Sequence, residues 1–466
     1  MMKSKKIALI NPPLLKDASF HPLFPPLGLT YIAAVLERDD HEIAVIDCPI
    51  QNFDHEKLKD ELTSFRPDIV GISAMTTNII SALKVAKDVK DIFPETAIVL
   101  GGPHASFMDE EILEQNPWVD IIVRGEGEST MLEIARYLPE WGKLADVKGI
   151  TIRKNGKIFK TPQRPYIDNL DTLPRPAYHY LPMSKYKIYG RTHLPIMSSR
   201  GCPYQCTFCV ASQMFGAKFR ARSPKSIVDE IEWLIREYGA EAVSFHDDTL
   251  TLDNERMMKI CEEIKRRKVK IPWGCQTRVD RVSKKLLSMM REAGCHEVSF
   301  GVESGSQKII NAIGKGITHE QSEKAVKWSK SEGLFVALSA ILGYPGENKE
   351  TLQQTIDFIR RLEPDDAWLC IATPYPGTIL RALIEDMGWK ISNDWNKYDT
   401  SHVVFENPEL PAEEILNARK KFYDSFYTPA YMIKQAIKGY LTGNFYSKVM
   451  ARIALNHILW RITAMF

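Results

Sequence analysis

Long hydrophobic runs are missing from this chain: no uninterrupted apolar stretch approaches the roughly 20 residues that a bilayer span requires. Cysteine is scarce, with eight among 466 residues, which excludes a disulfide scaffold in so long a chain. An excess of charge of one sign is missing too. The 61 Lys+Arg and 59 Asp+Glu leave a formal net charge of +2, so nucleic acid has no electrostatic claim as a partner. The basic N-terminus, Met1 to Lys6, runs straight into a short apolar strand with no cleavage-type segment, and the expected setting is cytoplasmic with reduced thiols. Low-complexity tracts and short-period repeats are also absent. What is present is an ordinary globular composition, 44% hydrophobic and 26% charged, at a length that predicts two or three domains.

Short β-branched runs at residues 7–11, 42–47, 69–73, 97–101 and 120–123 alternate with amphipathic helical patterns at 27–37, 55–65 and 78–92. That alternation predicts a doubly wound, Rossmann-like α/β domain over residues 1–140, with ligands at the carboxyl ends of its strands. Residues 150–152 and 158–160 flank Asn155-Gly156, a pair suited to a two-residue hairpin turn. Prolines then gather at 162, 165, 174, 176 and 182, so 141–194 reads as a hairpin and connector. A second alternation begins after Pro195, with strands expected at 196–199, 242–245, 271–276, 297–302, 335–342 and 367–371. Six βα units over 195–388 predict a partial (β/α)6 barrel of the TIM type, with its chemistry at the strand carboxyl ends. Residues 389–466 read as a helical C-terminal region.

Three of the eight cysteines, Cys202, Cys206 and Cys209, share one loop after the first strand of the second unit; the others, at 48, 261, 275, 295 and 370, are scattered. Three thiolates can ligate three irons of a 4Fe-4S cluster and leave the fourth open to another ligand. Structural zinc normally takes four protein ligands. The Cys-x3-Cys-x2-Cys spacing, with Phe208 before its last cysteine, resembles the signature of the radical S-adenosylmethionine superfamily. The resemblance implies that the amino and carboxylate groups of S-adenosylmethionine chelate the open iron, and that one electron cleaves the sulfonium to a 5′-deoxyadenosyl radical.

Later strand ends extend the resemblance. Asp247 and Asp248 fall where many members carry Gly-Gly-Glu to hold an ammonium group, and either could do so by charge-assisted hydrogen bonds; a solvated loop or helix N-cap is the alternative. Gln276 and Arg278 follow the third strand, and Glu303-Ser304-Gly305 the fourth. By resemblance these face the nucleoside and carboxylate of S-adenosylmethionine, although a structural salt bridge would also explain Arg278. Gly343-Tyr-Pro-Gly-Glu347 resembles the adenine-side segment, with a simple turn as the alternative.

Glycines and small hydroxyls at the strand ends of the first unit would let backbone approach a bulky ligand. They lie in Ser73-Ala-Met-Thr76, Gly101-Gly102-Pro-His104 and Arg124-Gly125-Glu126-Gly-Glu128. Joined to the barrel, this unit resembles the cobalamin-binding domain of cobalamin-dependent radical S-adenosylmethionine enzymes, class B methyltransferases among them, over about residues 5–388. The resemblance implies cobalamin contacts from Ser73, Thr76, Gly101, Gly102, His104, Gly125 and Glu126; a degenerate domain that binds no cobalamin is the alternative. The Asp-x-His-x-x-Gly motif that ligates cobalt from below is missing, and His21 lacks its Asp and Gly. Cobalamin without a histidine ligand to cobalt is therefore expected, with His104 a polar contact.

From Pro429 to Phe466 there are five basic residues and no acid. Helices are expected at 413–427, 430–441 and 446–465, Gly439 and Gly443 breaking the last two. Such a segment fits an interfacial helix on anionic lipid or a helical cap over the barrel. The domain order and helical end also resemble the anaerobic magnesium-protoporphyrin monomethyl ester oxidative cyclases. The expected activity is methyl transfer or related carbon–carbon bond formation at an unactivated carbon of a hydrophobic substrate, a lipid or tetrapyrrole. Oxidative cyclisation of a tetrapyrrole ester is one alternative, and a non-catalytic cobalamin or cluster sensor is another. The resemblance implies an electron donor such as flavodoxin or ferredoxin, and the tail adds a membrane surface as a partner.

Overall fold

The structure, a computed structural model, describes residues 4–14, 24–154, 156–188, 190–442 and 444–447. His21, Asn155, most of the helix expected at 446–465 and its bases Lys448, Arg452 and Arg461 lie outside the described residues.

The first sheet holds β1 (Lys6–Asn11), β2 (Glu42–Asp47), β3 (Ile69–Ser73), β4 (Ala97–Gly101), β5 (Ile121–Val123), β6 (Ile150–Lys154) and β7 (Lys157–Lys160), in the order β2-β1-β3-β4-β5-β6-β7. Strands β1 to β5 run parallel. Both faces are covered, which is why these strands read as continuous apolar runs: in β1, Ile7 and Leu9 enter one core while Ala8 and Ile10 enter the other. Strand order reverses direction between β1 and β3, which puts the ligand crevice over the carboxyl ends of the strands there. The hairpin of β6 and β7, expected within the connector, adds antiparallel to β5 and extends the sheet.

The second sheet runs β16-β15-β14-β13-β12-β9-β8. It is built from β8 (Lys187–Ile188), β9 (Arg191–Ile196), β12 (Ala242–Phe245), β13 (Trp273–Thr277), β14 (Cys295–Glu303), β15 (Phe335–Leu342) and β16 (Asp366–Ile371). Six of these are mutually parallel, the expected partial barrel, and β8 pairs antiparallel at the edge. One expected strand is corrected. β9 contains Pro195 instead of starting after it. Thr192 and Ile196 turn their carbonyls toward β12, accepting from Glu241 and His246 N–H at 2.8 Å each, so Pro195 turns its missing N–H to the other edge, where a sheet tolerates proline. Its carbonyl there accepts from the Tyr178 hydroxyl at 3.3 Å.

A short ribbon, β10 (Ser199–Arg200) against β11 (Arg220–Ala221), leaves the barrel beside β9. It carries two buried arginines that reach the first domain. Arg200 donates to Glu126 Oε1 at 3.0 Å and to Glu128 Oε1 at 2.5 Å; Arg220 donates to Glu126 Oε1 at 2.8 Å. The Ile167 N–H occupies Glu126 Oε2 at 2.7 Å, and the Arg220 guanidinium also meets the carbonyls of Ile167 and Phe215 at 2.7 Å each. Glu126, expected among the cobalamin contacts, therefore has both oxygens engaged in an inter-domain ion cluster.

The helices Ala412–Phe426 and Pro429–Thr442 match the first two expected in the tail. Asp365 holds the second one on the barrel by accepting from Gln435 at 3.0 Å and Lys438 at 2.5 Å. That helix leaves Ile433 54%, Ile437 54% and Leu441 74% exposed at four-residue spacing, a single apolar stripe. Among the described residues no helix is long and apolar enough to cross a membrane.

Removing Glu126 would leave the buried Arg220 guanidinium with backbone carbonyls but no carboxylate, and Arg200 with Glu128 alone. Glu126→Ala is expected to cost about 3–5 kcal/mol, read as a lowered denaturation midpoint by circular dichroism. A midpoint equal to that of the unaltered chain would show that the arginines find other partners.

Candidate active site

The cysteine loop leaves β10 and returns through β11, and its shape is fixed before any cofactor is considered. Gly201 has φ of +89°, and a Cβ there would collide with the Lys218 carbonyl oxygen, so only glycine fits. Cys202 N–H donates to the Gly216 carbonyl at 3.2 Å, and Thr207 N–H to the Ile313 carbonyl at 2.9 Å. The Thr207 hydroxyl lies 2.7 Å from that of Tyr344, and its carbonyl accepts from Leu380 N–H at 2.8 Å.

Cys202, Cys206 and Cys209 carry free thiols and line the same cavity. Burial pushes the Cys206 thiol up and that of Cys209 to about 11, so metal loading must displace protons. Among the described residues no three His, Cys, Asp or Glu side chains converge tightly enough to enclose a single ion. Three separated thiols on one loop fit a cubane cluster, where each binds a different iron.

The cavity measures about 830 Å³ and runs inside the barrel from this loop to Phe445 and Tyr446 of the tail. Small residues at several inward positions of β13, β14 and β15 help to open it: Gly274, Ser299, Gly301, Ala337 and Ser339. That is ample for a small-molecule site.

The structure sorts the sequence candidates. Phe208, Asp248, Gln276, Arg278 and Glu303 line the cavity with the cysteines. Asp248 stands at its mouth; loss of bulk water and then the charge of Asp247 raise its carboxyl to about 6. Asp247 also borders the cavity, but its buried carboxylate accepts from Ser198 N–H at 2.8 Å and from the Ser198 and Ser199 hydroxyls at 2.5 Å each. It fixes the turn that enters the cysteine loop. Arg278 forms the salt bridge considered from sequence, to Asp280 at 2.9 Å, and lies 3.5 Å from the Tyr204 ring centre, a cation–π contact. Glu303 pairs with Lys315.

Two candidates lie elsewhere. The Ser304 hydroxyl is fully buried in a turn, 3.0 Å from that of Thr355. Gly343 packs against Ile415 and donates its N–H to Glu347, which is the turn alternative.

At the first domain, Ser73 and Gly101 sit side by side at the ends of β3 and β4. His104 Nδ1 lies 3.2 Å from the Thr76 hydroxyl, and burial lowers its imidazole to about 4. Gly125 N–H donates to the Ser106 hydroxyl at 3.1 Å, and Gly102 continues β4 into the helix Pro103–Phe107. Small residues and a neutral imidazole along the strand ends fit a bulky ligand held without a charged side chain.

Sequence reading missed Lys315, Tyr204, Trp395 and Glu297. Trp395 meets the His104 ring edge-on at 4.8 Å. Glu297 enters the cavity from the same face of β14 as Ser299 and Glu303, a two-residue spacing that could have been read from the strand.

Three free thiols at the head of a partial α/β barrel, coupled to a doubly wound sheet, define a two-domain enzyme built around an iron–sulfur cluster. Residues 17–135 match the B12 binding domain, and residues 196–359 match the Radical SAM superfamily. An uncharacterized methyltransferase of Pyrococcus horikoshii is 38% identical over 456 residues, 94% of this chain and 99% of that protein. The anaerobic magnesium-protoporphyrin IX monomethyl ester cyclase of Rubrivivax gelatinosus is 31% identical over 419 residues, 87% of this chain and 74% of that one. The radical S-adenosylmethionine methyltransferase TsrM from Kitasatospora setae, solved with cobalamin and a 4Fe-4S cluster, shares the fold with a TM-score of 0.74 at 17% identity, covering 98% of this chain and 100% of that one.

The chain belongs to the cobalamin-dependent radical S-adenosylmethionine family. It is an enzyme, and its cofactors are a 4Fe-4S cluster, S-adenosylmethionine and cobalamin.

Replacing Cys202, Cys206 and Cys209 together by Ala should leave no iron or sulfide bound after anaerobic reconstitution, and no 5′-deoxyadenosine formed under dithionite. Persistent cleavage would refute these residues as the cluster ligands. Gly201→Ala, which alters no ligand, should also reduce bound iron severely because it displaces the loop.

Proposed function

We propose that this enzyme transfers a methyl group, or forms a related carbon–carbon bond, at an unactivated carbon of a hydrophobic small molecule such as a lipid or tetrapyrrole. The observation that carries this reading is a continuous cavity with the cluster thiols at one end and the barrel lumen below them. Full-length similarity to a protein named as a methyltransferase supports the transfer. Apolar wall residues, Phe335, Ala337, Ile341 and Ile371 among them, support a hydrophobic substrate. When bound, the three cofactors supply reductive cleavage of S-adenosylmethionine and a carrier for the methyl group.

The chain's own residues supply the rest. Cys202, Cys206 and Cys209 hold the cluster, and Phe208 packs beside it. Asp248, Gln276, Arg278 and Glu303 bind and orient S-adenosylmethionine, with Asp248 offering a carboxylate to its ammonium. Ser73, Thr76, Gly101, Gly102, His104 and Gly125 border the cobalamin. The reducing electron comes from an external donor of the flavodoxin or ferredoxin kind.

The second reading is oxidative cyclisation, which similarity to the Rubrivivax cyclase supports. Anaerobic incubation with methyl-labelled S-adenosylmethionine and cell extract separates the two. Label in a lipid or pigment product is expected for transfer. Continued 5′-deoxyadenosine release with no label transferred overturns transfer in favour of cyclisation.

We also propose peripheral binding to anionic membranes through Ile433, Ile437 and Leu441; Lys434 and Lys438 pair with Glu363 and Asp365, so the matching charge falls to Lys448, Arg452 and Arg461 of the sequence. Replacing these three by Ser should abolish co-sedimentation with phosphatidylglycerol vesicles. Equal sedimentation of both proteins would end the idea.

A further inference from the structure

The lower half of the barrel lumen contains a carboxyl group that no step above uses. Glu297 opens the inward face of β14, six residues before Glu303, which at about 3.3 Å per residue is some 20 Å below it. Space for it is made deliberately: a Cβ on Gly274 would come within 2.7 Å of the Tyr446 hydroxyl and 3.0 Å of Glu297 Oε2.

Tyr446 is held there by the turn at Asn444, whose amide donates to the carbonyls of His296 at 2.8 Å and Gly333 at 3.1 Å, while Phe445 N–H donates to His296 Nδ1 at 3.0 Å. The tail therefore forms the floor of the cavity, and the Tyr446 hydroxyl turns toward Glu297.

Among the described residues, no Lys, Arg or His lies within ion-pair distance of Glu297. Five other titratable groups line this part of the cavity: Asp366 from β16, His193 from β9, His246 at the end of β12, whose imidazole burial lowers to about 4, Cys275 from β13 and Tyr446 from the tail. Asp366 is occupied by the Trp368 indole N–H at 2.6 Å and by the Tyr427 hydroxyl. His193 Nε2 lies 2.8 Å from the Ser244 hydroxyl, and burial lowers its imidazole to about 4, so it is neutral. Among the described residues the floor thus presents two acids and no cation, beneath apolar walls.

The geometry points to a specificity subsite at the barrel floor, in which Glu297 receives a cationic nitrogen at the far end of an elongated, mostly apolar substrate whose other end reaches the cofactors. This rests on the function proposed above and names the substrate class more closely. A carboxyl enclosed in the lumen discriminates strongly, because a ligand lacking the nitrogen leaves it unpaired. Loss of water and the charge of Asp366 push the Glu297 carboxyl up to about 8, so at pH 7 it is mostly protonated. An ammonium beside it favours the ionised form and lowers that value. Binding must then release a proton.

The test is calorimetry on the reconstituted full-length enzyme with n-octylamine and 1-octanol as probes. At pH 7 the amine should bind about 10- to 100-fold more tightly than the alcohol, as expected for a hydrogen bond to a charged group. Titrations in buffers of different ionisation enthalpy should show close to one proton released per amine bound. Affinity for the amine should rise from pH 6 to 8.5 as Glu297 ionises, the amine staying protonated as a lysine would. Glu297→Gln should lose the preference and the proton release while still binding 1-octanol.

Equal affinity for the two probes, failure of the unaltered enzyme to bind either, or a preference that survives in Glu297→Gln would each overturn the subsite. Should the variant not fold, proton release by the unaltered enzyme alone decides, and its absence overturns the proposal. Calorimetry needs no turnover. A failure to transfer label would therefore strike the proposed function, and a failure to prefer the amine would strike the subsite.

Discussion

The cluster of Glu126, Glu128, Arg200 and Arg220 is the contact on which the site depends. Buried ion pairs add little stability over apolar packing, because desolvation cancels much of the Coulomb gain. What they enforce is geometry. Arg200 and Arg220 flank the cysteine loop on β10 and β11, while both glutamates follow β5 in the first sheet. A shift of the cysteine loop relative to the strand ends of the first domain would leave buried charge unpaired. The two cofactor regions are thus held in register by four side chains, which suits chemistry that must use both.

A second tie acts from the opposite side of the chain. Trp395, beyond the last barrel strand, lies against His104, and Arg381 lies over its ring at 5.4 Å. The first domain is therefore gripped by residues from the ribbon that follows the first barrel strand and by residues beyond the last one. His104 is closed in between Thr76 and Trp395, which accounts for its neutral imidazole.

The fold was legible in the sequence to the extent that periodicity carries it. Parallel strands buried on both faces read as continuous apolar runs, and ten of the eleven expected βα strands kept their places with small shifts at the ends. β9 started early because proline reads as a boundary, whereas only the direction of its missing N–H decides whether a strand tolerates it. The cysteine loop was legible because its spacing is local. Glu126 was not: its partners lie 74 and 94 residues away in the chain, and nothing within Arg-Gly-Glu-Gly-Glu distinguishes a ligand contact from a domain clamp. Asp247 and Asp248 are adjacent and chemically alike, so only the position of Ser198 and Ser199 separates the loop-fixing acid from the one at the cavity mouth. Ser304 and Gly343 followed the family pattern but turn away from the lumen, since a motif records position along the chain and not side-chain direction.

The division of labour along the lumen explains why the cofactor motifs leave the reaction open. Every recognisable motif lies at the carboxyl ends of the strands, where the cysteines, Asp248 and Arg278 gather. The other end is shaped by Gly274, Glu297 and a tail turn that ends in Tyr446, none of which belongs to a motif. Substitutions at the floor can change what fills the barrel without moving a cofactor contact. The similarity of one chain both to a protein named as a methyltransferase and to a cyclase is then physically reasonable. The shared upper half accounts for the resemblance, and the lower half, closed by the last described residues, is free to differ.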